Sequence, residues 1–264
     1  MKFLISIFIL SFLFINSSCN LSRNIGTEIS DFTINDFEVD KLGNYYLINN
    51  SGDIRKYSSE KKILYTFKNF SYGNIACIDV TNPHKILVFY KEFQIILILD
   101  NTLTSVSTIK LDDSQYYSAS GLSNDGNIWL YNSLKNQLSK LSFNGKIIED
   151  FNPLNAPYPD SITYSKIYDR ENRLYIFDEK SGIFTFNNFG YLEKIIPLTK
   201  VYKPEFSKNT FLYFDMNLDQ ILQFEITFHQ KTLVKDLRSI NPDIAVLKNG
   251  KTYFLIDNVL LINE

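Results

Sequence analysis

The sequence predicts an all-β fold, a six-bladed β-propeller with its ring closed by an N-terminal strand, on three observations. First, a polar turn followed by a strand of aromatic and aliphatic residues recurs six times. Its anchors, Asn44, Lys85, Asn127, Arg173, Thr210 and Lys251, lie 41, 42, 46, 37 and 41 residues apart, close to the ~40–45 residues of a four-stranded propeller blade. Second, the 17 Tyr and 22 Phe tilt the composition toward residues that suit pleated, packed strands. Third, the last repeat stops at Glu264 after three strands, while a strand-like segment outside any repeat, residues 28–34, precedes the first. An early strand that completes the final blade removes the unpaired edges that invite aggregation. A pair of open sandwiches would also supply many short strands, but not a regular period.

The elements follow in order. Residues 1–18 read as a signal peptide: Lys2 gives a positive start, and Phe3 to Ile15 is an almost unbroken apolar run. That run is shorter than the ~20 residues needed to span a bilayer. Ser17-Ser18-Cys19 resembles a lipobox, with Asn16 where Leu is usual, so Cys19 is expected to carry lipid. Two or more acyl chains hold a protein on a membrane stably. Residues 19–27 then form a short lipidated tether, and 28–264 one propeller domain. Within each repeat an innermost strand precedes the anchor: DFEVD, IACIDV, SASGL, TYSKIY, PEFS and DIAVL. A third strand follows it: DIRKYS, FQIILIL, QLSKLSF, GIFTFN, QILQFEI and VLLIN. A fourth completes five of the six: KKILYTF, VSTIKL, KIIEDF, LEKIIPL and KTLVKDL. Asn, Asp and Gly at 124–127, 144–145 and 249–250 suit tight hairpins because they tolerate positive φ.

The search for chemistry returns little. A net charge of -2 argues against nucleic acid, which calls for a clustered basic face. Only two cysteines are present; with Cys19 acylated, Cys77 has no partner and reads as a small core residue. His84 and His229 fall in turns, without partners at metal-ligand spacing. No nucleophile elbow, zinc motif or phosphate loop occurs. Neither catalytic residues, cofactor nor metal are therefore expected.

Carboxylates are the exception to weigh. Glu38, Asp40, Asp79, Asp169 and Glu205 lie in or beside innermost strands and could converge only in the central channel, where calcium would need six to eight oxygens. Asp in or after such a strand more often caps a turn. Asp178, Asp215 and Asp257 recur after the aromatic strand, which argues for a turn role there. The second-strand aromatics, Trp129, Tyr131, Tyr175, Phe177 and their counterparts, suit packing between blades. Tyr116, Tyr117 and Tyr158 lie in segments linking blades and are the candidates for a partner surface.

The stretch Asp79-Val80-Thr81-Asn82-Pro83-His84-Lys85-Ile86-Leu87, continuing through Tyr90-Lys91-Glu92-Phe93 to Leu99-Asp100, resembles a family of uncharacterised β-propeller lipoproteins exported by Bacteroidota. Gly121-Leu122-Ser123 and Asn127-Ile128-Trp129-Leu130-Tyr131 fit the same pattern, and the resemblance runs from about residue 36 to 260. It extends to the periplasmic plug-like subunit of the type 9 secretion translocon, which implies an outer-membrane β-barrel as partner. After Cys19 the chain reads Asn20-Leu21-Ser22-Arg23, without the acidic run of surface-exported lipoproteins; the expectation is an outer-membrane anchor facing the periplasm. The leading expectation is a non-catalytic, lipid-anchored module that docks a protein. The alternatives are a glycan-binding propeller, which predicts exposed aromatics on one face, and a calcium-dependent lactonase- or lyase-type enzyme built on channel carboxylates.

Overall fold

A computed structural model describes residues 32–151 and 162–263, and among these there are strands and turns but no helix. The signal peptide, the tether with Cys19, and Tyr158 lie outside the described residues. The strands run up and down in antiparallel meanders. The first is β1 (Asp36–Val39), β2 (Tyr45–Ile48), β3 (Ile54–Tyr57) and β4 (Ile63–Phe67). The second is β5 (Cys77–Asp79), β6 (Ile86–Tyr90), β7 (Ile95–Leu99) and β8 (Ser105–Lys110). The third is β9 (Tyr117–Leu122), β10 (Ile128–Asn132), β11 (Gln137–Leu141) and β12 (Ile147–Asp150). The fourth is β13 (Ile162–Arg170), β14 (Arg173–Asp178), β15 (Gly182–Asn187) and β16 (Leu192–Ile196). The fifth is β17 (Tyr202–Ser207), β18 (Thr210–Asp215), β19 (Gln220–Glu225) and β20 (Gln230–Asp236). The last, β21 (Ile244–Lys248), β22 (Lys251–Ile256) and β23 (Val259–Asn263), has three strands. The sheets stand in a propeller-like arrangement.

The second strand of each meander is buried on both faces, and the period of two explains how. In β2, Tyr45 and Leu47 enter an apolar cluster shared with β21 and β22, while Tyr46 and Ile48 enter one shared with β5 and β6. In β10, Ile128 and Leu130 pack toward the second meander and Trp129 and Tyr131 toward the fourth. In β14, Leu174 and Ile176 face the third meander and Tyr175 and Phe177 the fifth. Phe214 and Phe254 share the cluster between the fifth and the last. Alternate side chains point to opposite faces of a strand, so a sheet held between two neighbours needs apolar residues at every position. The aromatics expected between blades are there. The fourth strands lie on the outside; β4, β8, β12 and β20 are largely exposed and β16 is half-buried.

Two features depart from separate, evenly built blades. The third and fourth meanders form one eight-stranded sheet, because β9 and β13 pair in parallel at Ser120 and Lys166. A Cβ on Gly121 would lie 2.0 Å from the backbone oxygen of Ile167, so the approach depends on a residue without one. The expected closing strand over 28–34 is described only from Phe32, and Phe32 to Asn35 is not strand. Phe32 and Ile34 are nevertheless buried against Ile244, Val246, Tyr253, Leu255 and Leu260. The Ile34 amide donates to the side chain of Asn258, and the Asn35 amide donates to Ile48 O at 2.8 Å.

Candidate functional site

Antiparallel meanders give the ring two faces of different origin. Turns after first and third strands lie at one end, and turns after second strands, with the links between meanders, lie at the other. A cavity of about 480 Å³ opens at the first of these ends, where β1, β5, β13, β17 and β21 finish. Its lining combines Glu38 and Glu205 with Lys41, Lys166, Arg170, Lys203 and Lys248, set against Tyr168, Phe206 and Leu247.

Two lysines reach the interior because their strands bulge. The β13–β14 register slips between Ile162 and Ile167, with Ser165 at φ 48°. The β17–β18 register slips between Tyr202 and Glu205, with Lys203 itself at φ 47° and Pro204 next. Bulges re-aim side chains, and a left-handed non-glycine residue needs the surroundings to hold it. Here the holding groups are carboxylates. Lys203 Nζ donates to Asp36 Oδ2 at 2.9 Å and to Glu38 Oε1 at 2.8 Å. Lys166 Nζ lies 3.9 Å from Glu38 Oε1 and 3.7 Å from Asp79 Oδ1, and donates to Ile78 O at 3.3 Å.

These groups set one another's charge. Burial pushes the Glu38 carboxyl up, but Lys166 and Lys203 outweigh it and hold the group below its ordinary value. Burial likewise raises Asp79, and Lys166, Arg170 and the hydrogen bond from Thr81 together bring it below. At Asp36 burial wins over Lys203 and the carboxyl sits above its ordinary value. Burial lowers Lys166 and Lys203, but Glu38 with Asp79 and with Asp36 respectively keeps both well above the usual range and charged.

The five carboxylates singled out from sequence thus separate. Glu38 and Glu205 line the cavity, the latter accepting from Lys248 Nζ at 2.8 Å. Asp79 lies behind the wall; it accepts from Thr81 Oγ1 at 2.5 Å and from the Leu122 amide at 3.0 Å, joining the second and third meanders. Asp40 caps a turn, taking the amides of Leu42 at 2.8 Å and Asn44 at 2.9 Å and the Tyr46 hydroxyl at 3.0 Å. Asp169 clasps the third meander through Trp129 Nε1 at 2.9 Å, Asn124 Nδ2 at 2.7 Å and Ser123 Oγ at 3.1 Å. Asp178 and Asp215 cap turns by accepting backbone amides. The cations of the cavity carried no expectation. Their signal was a lysine inside an innermost strand, in TYSKIY and YKPEFS.

The opposite end carries a different surface. Phe70 is 90% exposed, Leu134 74%, Phe93 49% and Tyr116 38%, and all four sit in links between meanders or turns after second strands. The segments that carry them meet: the Phe93 ring lies 6.4 Å from Tyr72, two residues after Phe70, Lys91 Nζ lies 6.0 Å from the Tyr116 ring, and the amide of Ser133, next to Leu134, donates to Tyr116 O at 3.1 Å. Tyr117, expected beside Tyr116 on this surface, is corrected: β9 begins there and turns its ring into the core with Leu87, Ile109 and Leu130. Its backbone is clamped by Gln94, which donates to Tyr117 O and accepts from Tyr117 N, both at 2.9 Å. Cys77 is buried, and burial pushes its thiol well up. His84 and His229 are exposed in turns and neither lines the cavity.

No protein-family model matches the chain, and no curated protein matches it. Solved structures do. A streptogramin B lyase is similar with a TM-score of 0.57 and 18% identity, over 86% of this chain and 78% of that one. A catalytically inactive His→Ala variant of virginiamycin B lyase from Staphylococcus aureus, with quinupristin, gives 0.59 and 13%, over 90% and 86%. A protein of unknown function from Bacteroides caccae gives 0.59 and 8%, over 80% and 84%. Likeness at these identities shows the propeller fold.

Proposed function

We propose that this chain is a six-bladed propeller lipoprotein, anchored to the outer membrane through Cys19, that docks a protein partner on the face bearing Phe70, Phe93, Tyr116 and Leu134. Six apolar clusters, each drawn from two meanders and one of them joining the last to the first, support six blades. The packing of Phe32 and Ile34 on the last meander supports closure by the segment over 28–34. The observation that carries the docking role is the exposed aromatic and aliphatic group on one face, since apolar side chains gathered at the surface mark interaction sites. The partner in this reading is an outer-membrane β-barrel of a protein-secretion complex, and the anchor faces the periplasm.

The same face serves a second reading, glycan binding, because aromatic rings also stack on sugars. Leu134 and the nearby-in-topology Met216 and Leu218, exposed in the turn after β18, favour a protein, having no π-face to offer. An enzyme of the lyase type draws support only at the level of fold, and the cavity carboxylates Glu38 and Glu205 are engaged by lysines.

The test is to purify the C-terminally tagged chain from detergent-solubilised native membranes and identify its companions by mass spectrometry. A stoichiometric outer-membrane barrel, lost in a Phe70→Ser, Phe93→Ser double variant, is the expected result. A barrel-free preparation in which the wild type instead retains a glycan that the variant loses would transfer the face to sugar binding. An unmodified Cys19 peptide would overturn the anchor.

A further inference from the structure

The cavity at the opposite end has a charge pattern that docking on the aromatic face does not use. Lys248 pairs with Glu205, and Lys166 and Lys203 pair with Glu38, Asp79 and Asp36. Two cations remain. Arg170 donates from Nη1 to Asp169 O at 2.7 Å and from Nη2 to Thr81 Oγ1 at 2.8 Å, both uncharged acceptors. The Asp169 carboxylate is already engaged by Trp129, Asn124 and Ser123. Among the described residues Arg170 forms no ion pair, and neither does Lys41 at the exposed rim. A guanidinium has five N–H donors in a fixed fork, so three are left for a ligand. The two bonds anchor the group without a direct ion pair, although Thr81, which donates to Asp79 Oδ1 at 2.5 Å, sets the Asp79 charge one hydroxyl away.

The lining around it is not uniformly polar. Tyr168 and Phe206 pack at 5.6 Å between ring centroids, tilted by 45°, and with Leu247 and Val80 they form an apolar wall in the same cavity. A cavity of about 480 Å³ falls in the range of small-molecule sites, which combine an apolar lining with a few placed polar groups. The buried lysines are ion-paired with their carboxylates, and Arg170 offers the N–H donors of the lining that no carboxylate takes directly. A concave, low-dielectric wall strengthens the hydrogen bonds that such donors offer an incoming anion.

We infer that this cavity binds a small organic acid, its carboxylate or phosphate taken by the Arg170 fork and its apolar body laid on the Tyr168–Phe206 wall. The site is independent of the docking face: the Phe70, Phe93 double variant leaves it intact, so failure of one reading does not touch the other.

The experiment is titration calorimetry of the full mature chain with phenylacetate and phenyl phosphate, with phenylacetamide as the neutral isostere and inorganic phosphate as the anion without an apolar body. Saturable binding of at least one aromatic acid is expected, at least tenfold tighter than the amide and than inorganic phosphate. Arg170→Gln should abolish the preference of acid over amide, and Arg170→Lys should restore it only in part, since an ammonium lacks the fork. Whichever of the two acids binds more tightly distinguishes a carboxylate ligand from a phosphate ester. Should Arg170→Gln lose its cooperative melt, Lys41→Glu at the exposed rim replaces it, and must weaken acid binding while leaving the amide unchanged. Absence of saturable acid binding by the wild type, equal binding of acid and amide, or an acid preference that survives these variants in folded protein would each overturn the inference.

Discussion

The cavity and the apolar group exposed at the other end are built by opposite rules, although the outer turns of the cavity end also expose Leu42, Phe189 and Phe228. At the cavity end, charged side chains are buried, paired and fixed by backbone bulges in β13 and β17. At the other end, apolar side chains are exposed on links and turns, with little of the structure leaning on them. Both arrangements run against the ordinary distribution of residues between core and surface. What differs is how each is supported. The buried charges depend on one another, so changing one disturbs the fold. The exposed rings make few contacts, such as Phe93 with Tyr72 and Tyr116 with Lys91, so changing them disturbs the fold little.

The sharpest way to break this contrast is Glu38→Ala. Its carboxylate holds Lys203 directly and Lys166 at a longer distance, and removing one partner of a buried pair costs about 3–5 kcal/mol. Urea unfolding should show that loss; a change under about 1 kcal/mol would mean the network is wetter and looser than its geometry.

Next comes a pair of neighbours. Tyr117→Ala should cost about 3 kcal/mol by emptying its place in the core, and Tyr116→Ala should stay within about 0.5 kcal/mol. Equal thermal shifts for the two would erase the boundary drawn between them.

The smallest expected effect is in the pH profile. Glu38 and Asp79 have folded values below their ordinary 4.5 and 3.8. The unfolded chain therefore binds protons first as pH falls, and their stabilisation, present above about pH 4.5, is lost as pH drops through the folded values. Asp36 has the opposite sign, being raised: its contribution favours the fold at low pH and fades as pH rises, which blunts the acid limb without reversing it. Lys166 and Lys203, raised by the same network, keep their contribution until pH passes their folded values on the alkaline side. Melting temperatures measured from pH 7 to 3 should fall below pH 4.5 in the wild type, and fall less in Glu38→Gln. A parallel decline in both would show that other carboxylates govern acid unfolding.

How legible all this was depends on the period of each signal. Strand positions could be read because the repeat, the turn residues and the unbroken apolar second strands all follow from local chemistry. PEFS and TYSKIY fall within β17 and β13 as expected. The joining of the third and fourth meanders was hidden, because it depends on a missing Cβ at Gly121 meeting a backbone 46 residues away. The carboxylates stood out as residue types, but whether Asp169 faces a channel or clasps Trp129 is decided by a partner from another meander. The cavity lysines were missed for a related reason: a bulge reverses the inward or outward parity of the residues after it, so Lys166 and Lys203 could not be placed by counting alternate positions. The Tyr116–Tyr117 pair failed on the same parity, one residue on the link and the next inside the strand.

The sharing of the apolar clusters has a consequence for how the molecule comes into being. Each cluster takes its side chains from two meanders, and no meander in the described residues owns a core. The unit of repetition is therefore smaller than the unit of folding. A single repeat released from its neighbours would be a sheet with both greasy faces wetted, and each one gained by duplication would have been useless until flanked. Stability in such a chain is held in common: five clusters can form as soon as two consecutive meanders meet, and only the one that joins the last meander to the first waits for the distant ends.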